Sequence, residues 1–164
     1  MNVLFWLVFI GFCIKTGALF LSFFLSLFIN TEAAKDLYLG LNLFELFTYS
    51  KSHYIIVGSL LIVLTGLKAN MAYYVIKIFM KFNLSKPFKG RLSNLFLKIS
   101  HLALGAGILA IISRYYTREI LKQGIAIPID WSGNEILFFA GVIYLFALVF
   151  KKGAELQTEN DLTV

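Results

Sequence analysis

"YIIVGSLLIVLTGLKANMAYYVIKIF", residues 54–79, contains no acidic residue, and its cations are Lys68 and Lys77. A bilayer core about 30 Å thick is crossed by about 20 apolar residues in a helix, so this run is long enough to span. Its polarity does not alternate, which excludes a strand of a membrane barrel. "VLFWLVFIGFCIKTGALFLSFFLSLFI", Val3–Ile29, reads the same way. Two shorter runs follow, about Phe96–Tyr116 and Ile136–Phe150; the last reaches an adequate length from Trp131 to Lys151, with Trp131 at one interface. Helices are therefore predicted over about 3–29, 54–79, 96–116 and 132–151, with a short polar tail at 152–164. The 164 residues are 59% hydrophobic and 15% charged, against about 25% charged in soluble domains. Mean hydropathy is +0.81. The expected fold class is a single all-α domain, an integral membrane four-helix bundle.

The first run is expected to stay as a helix rather than be cleaved as a signal peptide. It has no basic n-region, its apolar stretch is too long, and Glu32 stands where a small residue is wanted. Lys77, Lys81, Lys86, Lys89, Arg91 and Lys98 lie between the second and third runs with no acid among them. The other two connections mix signs: Lys35 and Lys51 with Glu32, Asp36 and Glu45, then Arg114, Arg118 and Lys122 with Glu119, Asp130 and Glu135. The positive-inside rule puts the middle connection in the cytoplasm, and four spans put both termini there too. The same rule accounts for the net charge of +6 without direct nucleic-acid binding. The first connection, "LYLGLNLFELFTYS", is too apolar to float in water and is expected to lie at the outer interface or cap the bundle. Cys13 sits alone in an apolar run, so it reads as a small hydrophobe rather than a disulfide or thiolate ligand.

Charges in the spans are the candidates for function. Lys15 lies about 18 Å along its helix from Val3, and Lys68 is deep in the second run. A lysine at mid-membrane costs about 2.5–3.5 kcal/mol on the insertion scale, so each should face the bundle interior or snorkel. Small residues share their stripes: Gly11, Lys15, Ala18, Ser22 and Ser26 on the first helix, and Gly58, Thr65, Lys68 and Ala72 on the second. Ala103, Gly107, Ala110 and Arg114 align on the third, and Ala140, Tyr144 and Ala147 on the fourth. Small residues let membrane helices approach closely, leaving the large Phe, Leu and Ile side chains for lipid. Lys15 and Lys68 would then line a polar cavity for an anion, a lipid headgroup or a proton path. Arg114, Arg118 and Lys122 recur every four residues and read as headgroup contacts. His101 reads as a helix-contact residue. Neither histidine makes a zinc pattern, and neither a phosphate loop nor a nucleophile elbow is present, so no enzyme and no cofactor are expected.

The chain closes on "GAELQTENDLTV". Gly153 is placed to end the fourth helix, and Lys151 and Lys152 suit both the negative helix end and an anionic inner leaflet. Beyond them Gly153, Glu155, Leu156, Gln157, Glu159, Asn160 and Asp161 mix acids with apolar groups. This segment either docks on the chain's own basic connection at Lys86, Lys89 and Arg91 or binds a cytoplasmic partner.

"FKKGAELQTENDLTV", Phe150–Val164, resembles the ending of small bacterial four-helix membrane proteins grouped as domain of unknown function 2975: an aromatic, two basic residues, Gly, then an acidic stretch rich in Leu and Gln. "NLSKPFKGRLSNLFLKISHLALG", Asn83–Gly105, and "EAAKDLYLGLNL", Glu32–Leu43, are similar to that family's middle region and first connection. The resemblance departs at the front, where members often carry more polar sequence. It implies a multi-pass protein of the bacterial cytoplasmic (inner) membrane, with no activity attached. It also implies association with a Cro/CI-type helix-turn-helix transcriptional regulator. The expected function is a membrane-embedded interaction or sensor protein in contact with lipids, a cytoplasmic partner and copies of itself. The alternative is a small transporter or channel subunit using Lys15 and Lys68.

Overall fold

The computed structural model describes residues 2–81 and 90–162. Helix α1 spans Asn2–Phe28, a 3₁₀ turn follows at Thr31–Lys35, and short α2 covers Phe44–Tyr49. Helices α3 (Lys51–Lys81), α4 (Gly90–Leu121) and α5 (Gly133–Leu162) complete the chain. Among the described residues there is no strand. Val3–Phe28, Lys51–Lys81, Leu92–Leu121 and Gly133–Glu159 are each long and apolar enough to cross a membrane. All four predicted helices exist, and three are longer than expected. At about 1.5 Å per residue, α3, α4 and α5 each measure about 45 Å, well beyond a hydrocarbon core of about 30 Å.

Neighbouring long helices pack in chain order: α1 on α3, α3 on α4, and α4 most extensively on α5. Among the described residues α1 and α5 make no close backbone approach. The bundle is thus open along one side, a feature that hydropathy does not disclose.

The α4–α5 contact is a seam of small and aliphatic side chains. Ile99, Ala103, Ala106 and Ala110 of α4 are buried, as are Ile136, Ala140 and Ala147 of α5. Ser93 Oγ donates to the Ala147 carbonyl at 3.0 Å, and Ser100 Oγ to the Ala140 carbonyl at 3.1 Å. A Cβ at Gly133 would stand 3.1 Å from the Ile111 backbone nitrogen and 2.8 Å from its Cγ1, so the start of α5 touches α4 backbone to backbone. Lipid is as apolar as leucine, so such packing and hydrogen bonding, rather than water exclusion, hold these helices together.

Helix α1 departs from the expected small-residue stripe. Gly11 is exposed, and the face turned to α3 runs through Phe5, Phe9, Phe12, Thr16, Leu19, Phe23 and Ser26, at alternating steps of four and three. Phe5 stacks on Phe79 at 4.4 Å, Phe9 meets Tyr73 at 5.8 Å, and Phe23 stacks on Tyr54 at 5.4 Å. The Phe23 ring occupies the space beside Gly58, where a Cβ would lie 2.3 Å from a ring carbon. The small residue is therefore on α3 and the bulk on α1, a knob-and-hole pairing rather than two smooth faces. On α5, Tyr144 is likewise exposed while Ala140 and Ala147 are buried.

The first connection caps the bundle, as its apolar content suggested. Ala34, Leu37, Leu43 and Leu46 are buried, and the Leu43 amide donates to the Ala34 carbonyl at 2.9 Å. Phe47 meets Tyr54 edge-on at 5.0 Å. The end of α5 corrects a second expectation. The helix does not stop at Gly153 but continues to Leu162. Glycine costs about 1 kcal/mol against alanine inside a helix. Good helix formers follow at Ala154, Glu155, Leu156 and Gln157, and Lys152 Nζ pairs with Glu155 Oε2 at 3.3 Å, which outweighs that local cost.

Candidate functional site

Lys15 sits on α1 at the margin of the face turned to α3 and is half-buried. Its amine lies 5.8 Å from the centroid of the Tyr38 ring, a cation–π distance. Tyr38 is held above it by the capping connection, whose chain turns sharply at Leu39 and Gly40, with φ of 47° and 83°. Lys15, Leu19, Tyr38, Leu41, Leu61 and Asp130 border a cavity of about 270 Å³. Lys68, on α3, borders a second cavity of about 230 Å³ with Phe5, Phe12, Met71, Val75 and Phe139. That cavity lies in the open side of the bundle, between α1 and α5 with α3 as its floor.

Asp130 is the residue that sequence reasoning missed. In the sequence it stands among the mixed charges of the third connection, well outside the span that holds either lysine. The segment before α5 is instead drawn onto the bundle by Ile125, Ile127 and Ile129, each half-buried. The Ile129 amide donates to the Ile127 carbonyl at 2.8 Å, a tight turn centred on Pro128. Proline has no N–H to leave unpaired there. Asp130 and Lys15 border the same cavity, and Lys68 borders the neighbouring one. The alternation of isoleucines around Pro128 was the signal that this connection has an inward face.

Asp130 is also tied to α5. Its Oδ1 accepts from the Ser132 amide at 3.0 Å, and the Ser132 hydroxyl donates to Oδ2 at 3.3 Å. Ser132 is held at φ 49°, in the left-handed region that non-glycine residues enter only when their surroundings enforce it. Between them Trp131 is buried, and its Nε1 donates to Thr117 Oγ1 of α4 at 3.1 Å. The carboxylate is thereby fixed at the head of α5.

Other hydroxyl and ring contacts at the same end stiffen the surroundings. Tyr54 is fully buried, and its hydroxyl shares a 2.5 Å hydrogen bond with Ser26 across α1 and α3. His53 Nδ1 lies 2.6 Å from the Tyr116 hydroxyl of α4, and Tyr49 hydrogen-bonds Gln123.

The structure separates the remaining sequence candidates from this cleft. Arg114 is exposed on α4 and borders a different cavity with Arg118. His101 is exposed on α4. In the last turns of α5, Gly153 and Gln157 are half-buried, Glu155 pairs with Lys152, and Leu156 is 50% exposed. Glu159 is exposed. Lys86 and Lys89 lie outside the described residues, as do the side chains of Arg91, Asn160 and Asp161. Among the described residues no group of three or more His, Cys, Asp or Glu is gathered as metal ligands would be.

Across these two neighbouring cavities the amines of Lys15 and Lys68 outnumber the one carboxylate, that of the exposed Asp130. Such a site suits an anionic group, because electrostatic attraction grows as water is excluded. No protein-family model, curated protein or solved structure matches this chain.

Proposed function

We propose that this chain is a membrane-embedded interaction or sensor protein with both termini in the cytoplasm. An anionic ligand at Lys15, Lys68 and Asp130 would be reported to a cytoplasmic partner through α5. The observation that carries this reading is the unbroken course of α5, from the Asp130–Ser132 cap to Leu162. The cleft's carboxylate is thus two residues from one end of a rigid rod about 45 Å long. The other end presents Leu156 beside charged neighbours, an arrangement suited to a groove that takes an amphipathic helix. The unopposed cations of Lys77–Lys98 support the orientation. The resemblance quoted above, which rests on those residues alone, makes a Cro/CI-type regulator of the bacterial cytoplasm the first partner to test.

Truncation after Lys152 removes the output element and leaves the four spans. Isolated from native membranes, the shortened protein is expected to insert and fold but to lose a soluble partner recovered with the full chain. Identical partners for both forms would refute the sensor reading. One observation favours a second reading, a small transporter or channel subunit: the two lysines border neighbouring cavities. Anion flux in proteoliposomes that is lost in Lys15→Met with Lys68→Met would decide for it.

A further inference from the structure

A second, chemically different cavity opens at the Trp131 end of the bundle. Arg114 and Arg118, one helical turn apart on α4, face Asp130 and Glu135 across a space of about 470 Å³. That volume falls within the range of about 300–1,000 Å³ common to small-molecule pockets. Leu121, Ile127 and Ile129 supply an apolar wall.

The charges in this cavity are not spent on one another. Ion pairs among the described residues join Lys35 to Glu32, Lys122 to Glu119 and Lys152 to Glu155. Neither arginine has a carboxylate within that range. The pattern that reads as one stripe in sequence therefore divides: Lys122 is neutralised locally, 2.6 Å from Glu119, while Arg114 and Arg118 keep their donors. Asp130 accepts bonds from Ser132 and retains lone pairs on both oxygens. The pocket thus offers two guanidinium forks and two carboxylates at the end of a membrane-length helix, beside the buried Trp131.

We propose that this cavity binds a phosphate ester that carries a primary ammonium, the phosphoethanolamine group. The arginines take the phosphate oxygens, for which their planar donor geometry is suited. Asp130 and Glu135 accept the ammonium N–H groups, and the aliphatic wall receives the glycerol side when the group belongs to a lipid. A choline headgroup has no N–H to offer and leaves the carboxylates unpaired; a glycerol headgroup brings no cation. The proposal goes beyond the sensor reading: it shares Asp130 with it but uses Arg114, Arg118 and Glu135 and neither lysine.

Native mass spectrometry of the full-length protein, with phosphatidylethanolamine, phosphatidylcholine and phosphatidylglycerol offered at equal concentration, tests it. Phosphatidylethanolamine is expected to be retained about tenfold better than either competitor, the scale of one charge-assisted hydrogen bond. Glu135→Gln should erase the preference over phosphatidylcholine while lipid is still retained, and Arg118→Gln should lower retention of all three. Free O-phosphoethanolamine that displaces the lipid would identify the soluble group as sufficient; failure to displace it would identify the lipid as the ligand. Equal retention of phosphatidylethanolamine and phosphatidylcholine by the unaltered protein overturns the proposal, as does a preference for phosphatidylglycerol. Both of these comparisons need no variant to fold.

Discussion

Helices α1 and α5 are both long and apolar, yet they are held by different means. Helix α5 lies against α4 along alanines, with a glycine at its head, serine hydroxyls reaching its carbonyls and Trp131 locked to Thr117. Helix α1 rests on α3 through phenylalanine rings, with a single buried hydroxyl bond, Ser26 to Tyr54, between them. Among its described residues only Leu19 and Ser26 are buried. Backbone-close packing with polar fastenings is expected to resist displacement more than stacked rings do. The amine cleft lies where these two regimes meet, with Lys15 on the loosely held helix and Asp130 fixed to the tightly held one. That is the placement expected of a site whose occupancy moves one element against another.

The contrast can be broken from the rigid side first. Gly133→Leu would drive a side chain into the Ile111 backbone and is expected to cost about 3 kcal/mol, the upper end for overpacking. Sodium dodecyl sulfate titration of the protein in mixed micelles would read this as loss of the folded form, with α4 and α5 separating. If Gly133→Leu is neutral, the backbone contact is not what holds α5.

On the loose side, Ser26→Ala leaves the Tyr54 hydroxyl buried without its partner. The expected cost is about 1–2 kcal/mol by the same titration, together with faster hydrogen exchange in α1. Unchanged exchange in α1 would show that the aromatic contacts suffice. The smallest effect is expected for Ser100→Ala, about 0.6 kcal/mol, as is common for one interhelical hydrogen bond in a membrane. A loss larger than that for Ser26→Ala would show that this one hydrogen bond carries more of the α4–α5 contact than its packed alanines do.

Helix number and approximate position were legible because about 20 uninterrupted apolar residues have few other fates. Facing was not. The Gly11–Lys15–Ser22 stripe and the Phe5–Phe12–Phe23 face are both helical spacings, and which one is buried depends on Gly58, a residue on another helix. Lys15 and Lys68 were legible as candidates from the cost of a charge in hydrocarbon alone. Asp130 was not, because the cavity it shares with Lys15 joins residues more than a hundred apart in the chain and depends on the Pro128 turn. The extension of α5 past Gly153 was hidden for a different reason: a local helix-ending preference was overruled by the helix formers that follow it.

The meeting of Lys15 and Asp130 is tested most directly by cross-linking in native membranes. In a Cys13→Ser background, Lys15→Cys with Asp130→Cys should be joined within one chain by a short bifunctional thiol reagent. Ile14→Cys, one residue away and 60% exposed on another face of α1, should not be joined to Asp130→Cys. Cross-linking of the Lys15 pair alone is the result expected if the third connection folds into the cleft. Failure of that pair, or equal cross-linking from Ile14, would contradict a cleft built from these two residues.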